Sequence, residues 1–241
     1  METWVITRRA SDPYGFTVLG EVSELGSKPF TLKVLLKAKG YTLIHLHSFD
    51  RLLPWLRRLY PKKPVVLHYH GSDIRGRWRE KAPLWRQADG LLVSTPDLLE
   101  GAPEDARYLP NPVDTSIFKP SHKAERVERL ALHFNTGYPW SREDLEWARR
   151  VAARLQLKLQ LIDRQAQPIP YLELPHILSS AEYLIDRRRI RSLSLVALQA
   201  LACGVKVIDW REEVVEGLPQ EHEPLQVARQ TCDIYRELVE Q

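Results

Sequence analysis

The sequence predicts an α/β protein of two modest domains, each built on a parallel sheet. Three observations carry this expectation. Short apolar, β-branched runs bounded by turn residues recur between longer helical patterns, the alternation expected of strands joined by helical crossovers. The alternation breaks once, around Asn111-Pro112-Val113-Asp114, and then restarts. The length of 241 residues suits two small cores, at roughly 100–200 residues per domain.

In the first half the expected strands are WVIT near the start, FTVLGEV from Phe16, TLIHLH from Thr42, PVVLHYH from Pro64 and LLVST from Leu91. Between them, residues 30–39, 50–59 and 79–87 carry helical patterning. The stretch from Asn111 to about Arg126 is polar and proline-bearing and reads as an interdomain linker.

The second half repeats the scheme. LALHF from Leu130, KLQLID from Lys158, YLID from Tyr183 and VKVID from Val205 read as strands, with helices over 142–155, 174–179 and 195–203. Ser141 with Asp144 marks a helix start, because a hydroxyl accepts from an orphan amide and a carboxylate favours the positive helix end. Gly204 stands where a helix end needs a left-handed residue. From Glu223 to the last residue, Leu225, Ala228, Cys232, Tyr235 and Leu238 form a helical stripe that must pack on something. The expected division is therefore 1–118, 119–222 and a C-terminal helix over 223–241.

Composition narrows the function classes. The chain is 44% hydrophobic and 27% charged, a globular balance without low-complexity tracts. No apolar stretch approaches the roughly 20 residues that cross a bilayer, and the start lacks a secretory pattern, so a cytoplasmic protein is expected. Cys203 and Cys232 show no ligand spacing and read as small buried side chains. A net charge of +4 favours anionic ligands but falls short of a nucleic-acid signature. Arginine outnumbers lysine and there is one Met, a composition that points to a thermophilic source.

Five segments, taken in order, resemble the retaining GT-B glycosyltransferases of family 4. They are TLIHLHS with VVLHYHGSD, ADGLLVSTPDLLEG, NPVDTSIFKP, LPHILSSAEYLID and SLVALQALACGVKVID, and they cover the chain from about Tyr41. The resemblance implies a GT-B architecture, two Rossmann-like domains facing across a cleft. It also implies a nucleotide-sugar donor as substrate, no bound cofactor, and an acceptor that can be lipid-linked or a glycan. His70 and Asp73 take the catalytic positions of this pattern, with Gly71 permitting close backbone approach. Asn135, Thr136, Arg187, Arg191, Ser194, Leu195 and Gln199 take the donor-binding positions.

The chain departs from that pattern at four donor contacts. Thr136 and Ser141 stand where the family carries an arginine and a lysine, and Arg191 and Gln199 where it carries two glutamates. A glycine-rich first loop is also missing. Transfer needs the charge on the donor diphosphate stabilised. The expectation is that Arg191, with one of Arg187–Arg189, supplies this beside the helix starting near Ser194. A solvated basic face accounts for the same arginines. Two other functions stay open: a non-catalytic relative that binds a sugar nucleotide, glycan or protein partner, and a different Rossmann-like enzyme, which would need a glycine loop after the first strand.

Alternate histidines, His45 with His47 and His68 with His70, share a strand face and raise a metal reading. The expectation is that no metal is bound, because no carboxylate completes the set. No DxD pair, Walker loop or GxSxG is present. The stretch 51–64, RLLPWLRRLYPKKP, reads either as a crossover helix with its leucines inward or as a peripheral membrane contact.

Overall fold

Strands joined by crossovers must run parallel, and the computed structural model of the chain builds two sheets of that kind. It describes residues 6–7, 21–22, 27–135, 141–163, 166 and 168–240. The described residues fall in two units, one holding those up to Pro110 and from Ala228 onward, the other those of Asn111–Val227.

In the first unit β1 (Ile6–Thr7) pairs in parallel with β2 (Glu21–Val22), ahead of helix α1 (Ser27–Ala38). Most of the expected WVIT and FTVLGEV strands lies outside the described residues. The main sheet follows as β3 (Ile44–His47), α2 (Leu53–Leu59), β4 (Val65–Tyr69), α3 (Ala82–Trp85), β5 (Gly90–Val93) and β6 (Arg107–Tyr108). Its order is β3-β4-β5-β6, all parallel. Alternation sorts the side chains. Leu46, Val65, Leu67, Tyr69, Leu91 and Val93 enter one core with Phe30, Val34, Leu53 and Leu56 of the helices. The opposite face carries His45, His47, Val66, His68 and Leu92, as the register pairs His45 with Val66, His47 with His68 and His68 with Leu92.

The expected helix over 79–87 is reduced to Ala82–Trp85. Pro83 explains the late start: it fits the first turn of a helix, and the residues before it are taken by turns. In the stretch 51–64, Leu52, Leu53 and Leu56 point inward, as a crossover helix requires, while Trp55 and Leu59 are exposed. Arg57 donates to the Gln87 and Lys63 carbonyls and pairs with Asp89, so part of the basic character serves the fold.

The second unit contains β7 (Val127–Asn135), α4 (Ser141–Arg154), β8 (Lys158–Asp163), α5 (Leu174–Ser179), β9 (Ala181–Ile185), α6 (Leu195–Ala202), β10 (Lys206–Ile208) and β11 (Val214–Val215). The order is β11-β10-β9-β7-β8, with only β11 antiparallel. Helices cover both faces. Trp147, Ala148, Val151 and Ala152 of α4 pack on Ala131, Ile185 and Ile208. Leu178 of α5 and Ala197, Leu198 and Leu201 of α6 pack on Leu130, Leu132, Phe134, Leu184 and Val207. Gly204 ends α6 with φ +74°, the left-handed conformation expected there. The polar stretch after Asn111 is anchored: Val113 and Phe118 are buried in this core, and the Val113 amide donates to the His222 carbonyl.

Helix α7 (Pro224–Val239) closes the chain. Its packed stripe differs from the expected one. Leu225 and Ala228 are exposed, Val227 is buried, and Tyr235 and Leu238 turn toward the first sheet. A Cβ on Gly90 would lie 2.9 Å from Leu238 Cδ1, so the bare backbone of β5 is what admits this helix. No helix among the described residues is long and apolar enough to cross a membrane.

Candidate functional site

In the second sheet β8 lies on one side of β7 while β9 and β10 lie on the other, so the strand order reverses between β7 and β9. Open parallel sheets bind ligands beyond the carboxyl ends of the strands at such a point. Here that edge holds a 40 Å³ cavity lined by His133, Phe134, Ile185, Asp186, Arg187 and Ser194, among others. This is room for about three waters or one small group.

The cavity walls follow from local chemistry. Ser194 caps α6, its hydroxyl accepting from the Ala197 amide at 3.1 Å. Its own amide donates to Asp186 Oδ2 at 2.8 Å. Asp186 is buried, and loss of hydration raises its carboxyl above the ordinary range. His133, also buried, is held through Nδ1 to the Ile185 carbonyl at 2.9 Å. Arg187 lies 3.9 Å from Asp186, too far for a hydrogen bond, and its buried Nε has no hydrogen-bond partner. The loop that follows is pinned by Asp144, whose Oδ1 accepts from the Arg188 and Arg189 amides.

Of the residues expected to bind a donor, Arg187 and Ser194 meet at this cavity. Arg191 is exposed and does not line it. Arg189 pairs with Glu143 on the surface. Leu195 is exposed at the start of α6. Gln199 is buried and hydrogen-bonds Tyr171, away from the cavity lining. Asn135 ends β7 and donates to Asp163 at 3.2 Å. Thr136 lies outside the described residues. Asp186 was not anticipated. An aspartate ending a strand reads as a turn residue, and only the run YLID hinted that this one would be buried.

The first unit places His70, Gly71 and Asp73 in the turn after β4. Asp73 accepts from the amides of His70 and Gly71, at 3.0 and 2.7 Å, and from the Ser48 hydroxyl at 2.5 Å. Its carboxylate therefore organises the turn. Ser48, next to His47, holds φ +59°, a sparsely populated conformation of the kind that collects at functional sites. His70 Nε2 meets His47 Nδ1 at 2.8 Å.

That contact belongs to a two-by-two array. Ring centroids are 4.3 Å apart for His45–His47 and for His68–His70, and 5.0 to 5.4 Å for three of the cross-strand pairs. Loss of hydration on this crowded face, then repulsion from neighbouring rings, pulls His45 down to about 3 and His68 to about 2, and draws His47 to about 4 although one edge of its ring reaches solvent. The three rings are thus neutral near pH 7. Tyr235 of α7 meets His45 Nδ1 at 2.5 Å, while His45 Nε2 and both nitrogens of His68 are buried without a hydrogen bond. One ligand nitrogen from each of His45, His47 and His68 lies within 4.8 Å of the others.

Sheets, crossovers and the switch-point cavity define the class: an α/β protein with two Rossmann-like parallel sheets. Among solved structures, the chain is similar to sucrose-phosphate synthase (tll1590) from Thermosynechococcus elongatus, with a TM-score of 0.46 and 16% identity over 88% of this chain and 70% of that one. No family model and no curated protein matches the sequence.

Proposed function

We propose that the chain is a glycosyltransferase-like protein that takes a nucleotide-sugar donor at the carboxyl edge of the second sheet and moves the sugar to an acceptor with retention of configuration. The observation that carries this reading is Arg187. A mostly buried guanidinium with an unsatisfied Nε, beside the capped amino end of α6 at a strand-order reversal, is a seat for one phosphate group. Arg191, on the same loop, would meet the outer charge of the diphosphate. Asn135, Thr136, Ser194 and Leu195 would border the donor, and Gln199 would have to leave Tyr171 to reach it. His70 would orient the sugar, with Gly71 allowing close approach and Asp73 holding both in place. In this reading 119–222 is the donor side, 1–118 the acceptor side, and 223–241 the closing helix. A lipid-linked acceptor would suit exposed Trp55 and Leu59 in 51–64 as a peripheral membrane contact.

Titration calorimetry with uridine, guanosine and adenosine diphosphate sugars tests the reading. One of them should bind, and Arg187→Ala should weaken it by about 10–100-fold, the loss of a charge-assisted hydrogen bond. Product analysis by NMR should then show the donor's anomeric configuration kept. Silence across the panel, or unchanged binding by Arg187→Ala, would remove the proposal.

A second reading is a binding protein without turnover. It is favoured by Asp73 and Gln199, whose side chains are both engaged in internal hydrogen bonds. Donor binding without sugar transfer or donor hydrolysis selects this reading.

A further inference from the structure

We propose that the first unit carries a transition-metal site in which the imidazoles of His45, His47 and His68 ligate a divalent ion of the zinc class. This goes beyond the transferase reading and uses no residue of the second unit.

Geometry is the first support. The three candidate ligand nitrogens lie within 4.8 Å of one another. Zinc–nitrogen bonds of about 2.0–2.1 Å place tetrahedral ligands about 3.4 Å apart, a distance that small ring rotations reach. The second support is the unmet demand of the rings. His68 is 4% exposed, yet neither of its nitrogens completes a well-formed hydrogen bond, the backbone of Leu109 being the polar group that faces it. His45 Nε2 is stranded in the same way. Buried polar atoms are nearly always partnered, so three orphan imidazole nitrogens on one sheet face call for a missing partner. Val66 and Leu92 on the same face show that apolar side chains fit there. Packing alone therefore gives no reason for histidine.

The contacts around the rings also suit ligation. Tyr235 engages His45 at Nδ1 and leaves Nε2 for the ion, the arrangement by which outer groups orient a metal-bound imidazole. His70 holds His47 through Nδ1 in the same manner. His47 is exposed, which gives an ion a way in. Three imidazoles without a carboxylate select Zn²⁺, Ni²⁺ or Cu²⁺ over the oxygen-seeking Mg²⁺ and Ca²⁺. They leave a fourth position for water or an added donor. The proposal stands against the expectation that no metal is bound, because an all-imidazole set needs no carboxylate.

The test uses the untagged full chain, stripped with EDTA and dialysed, then titrated with Zn²⁺ against a chromophoric chelator and with Co²⁺ by absorption. One equivalent of zinc should bind, the cobalt form should show tetrahedral d–d bands, and Mg²⁺ should not compete. His47→Ala, at an exposed position, should keep the circular dichroism of the parent and lose at least about tenfold in zinc affinity together with the cobalt bands. His68→Leu should lose binding while melting no lower than the stripped parent, which separates lost ligation from lost folding. Absence of one-equivalent binding in the parent, or parental binding by His47→Ala, would overturn the site.

Discussion

The two sheets solve the same problem differently. Each is parallel, and each places polar side chains at or near the carboxyl ends of its strands. In the second unit those groups are carboxyls and almost all paired: Asp186 with the Ser194 amide, Asp144 with two loop amides, Asp209 with the amides of Arg211 and Glu213. In the first unit Asp73 is just as well paired, but beside it imidazole rings are stacked on one another, and those of His45 and His68 hold buried nitrogens short of partners. Among the described residues, six of the seven buried side-chain polar atoms without a hydrogen bond lie in the first unit, and Arg187 Nε is the exception. A satisfied network stabilises its sheet, whereas an unsatisfied one costs stability and marks where a ligand is to come.

Opposite responses to substitution would establish that contrast. Asp186→Ala should be the most damaging change, costing about 3 kcal/mol in urea unfolding, because it strands a mostly buried guanidinium and the Ser194 amide together. A loss under about 1 kcal/mol would show that water reaches that edge freely. Ser194→Ala removes only the α6 cap and should cost about 1 kcal/mol, read from the same unfolding curves. In the metal-stripped first unit the sign should reverse. His68→Leu replaces two orphan nitrogens with methyl groups and should stabilise by up to about 1 kcal/mol. If it destabilises, the ring has a partner that the geometry does not reveal. The mildest probe is thiol labelling at pH 8. Cys203, fully buried and with its thiol pushed up to about 11, should stay silent in the native protein, while partly exposed Cys232 reacts. Two labelled thiols under native conditions would mean that the second core opens readily.

Much of the second unit could be read from residue patterns. Helix 174–179 and strand 158–163 fall as expected, the strand at 130 starts three residues earlier and ends one later, and the strand at 183 starts two residues earlier and stops before Asp186. The buried half of β7 is a nearly continuous apolar run and the exposed edge strand β8 alternates apolar with polar residues, and both patterns are local information. The two-residue strands β6 and β11 went unread because an edge pairing that short leaves no pattern. Which arginine of 187–191 turns inward was equally hidden. The four look alike in sequence, and the choice is made by Asp144 drawing the next two amides toward itself, 44 and 45 residues away. The alternation of His45 with His47 and of His68 with His70 was plain. That His47 lies opposite His68 was not, because the register of two parallel strands is set by the whole sheet rather than by either segment.

Gly90 gives way to Leu238, and Tyr235 reaches back 190 positions to His45, so the first sheet is finished by residues that follow the whole second unit in the chain. The described residues of the second unit all fall within Asn111–Val227 and can fold as soon as they emerge. The first unit is thus begun before the second and completed after it, and until then its imidazole face lacks the helix that brings Tyr235 to His45.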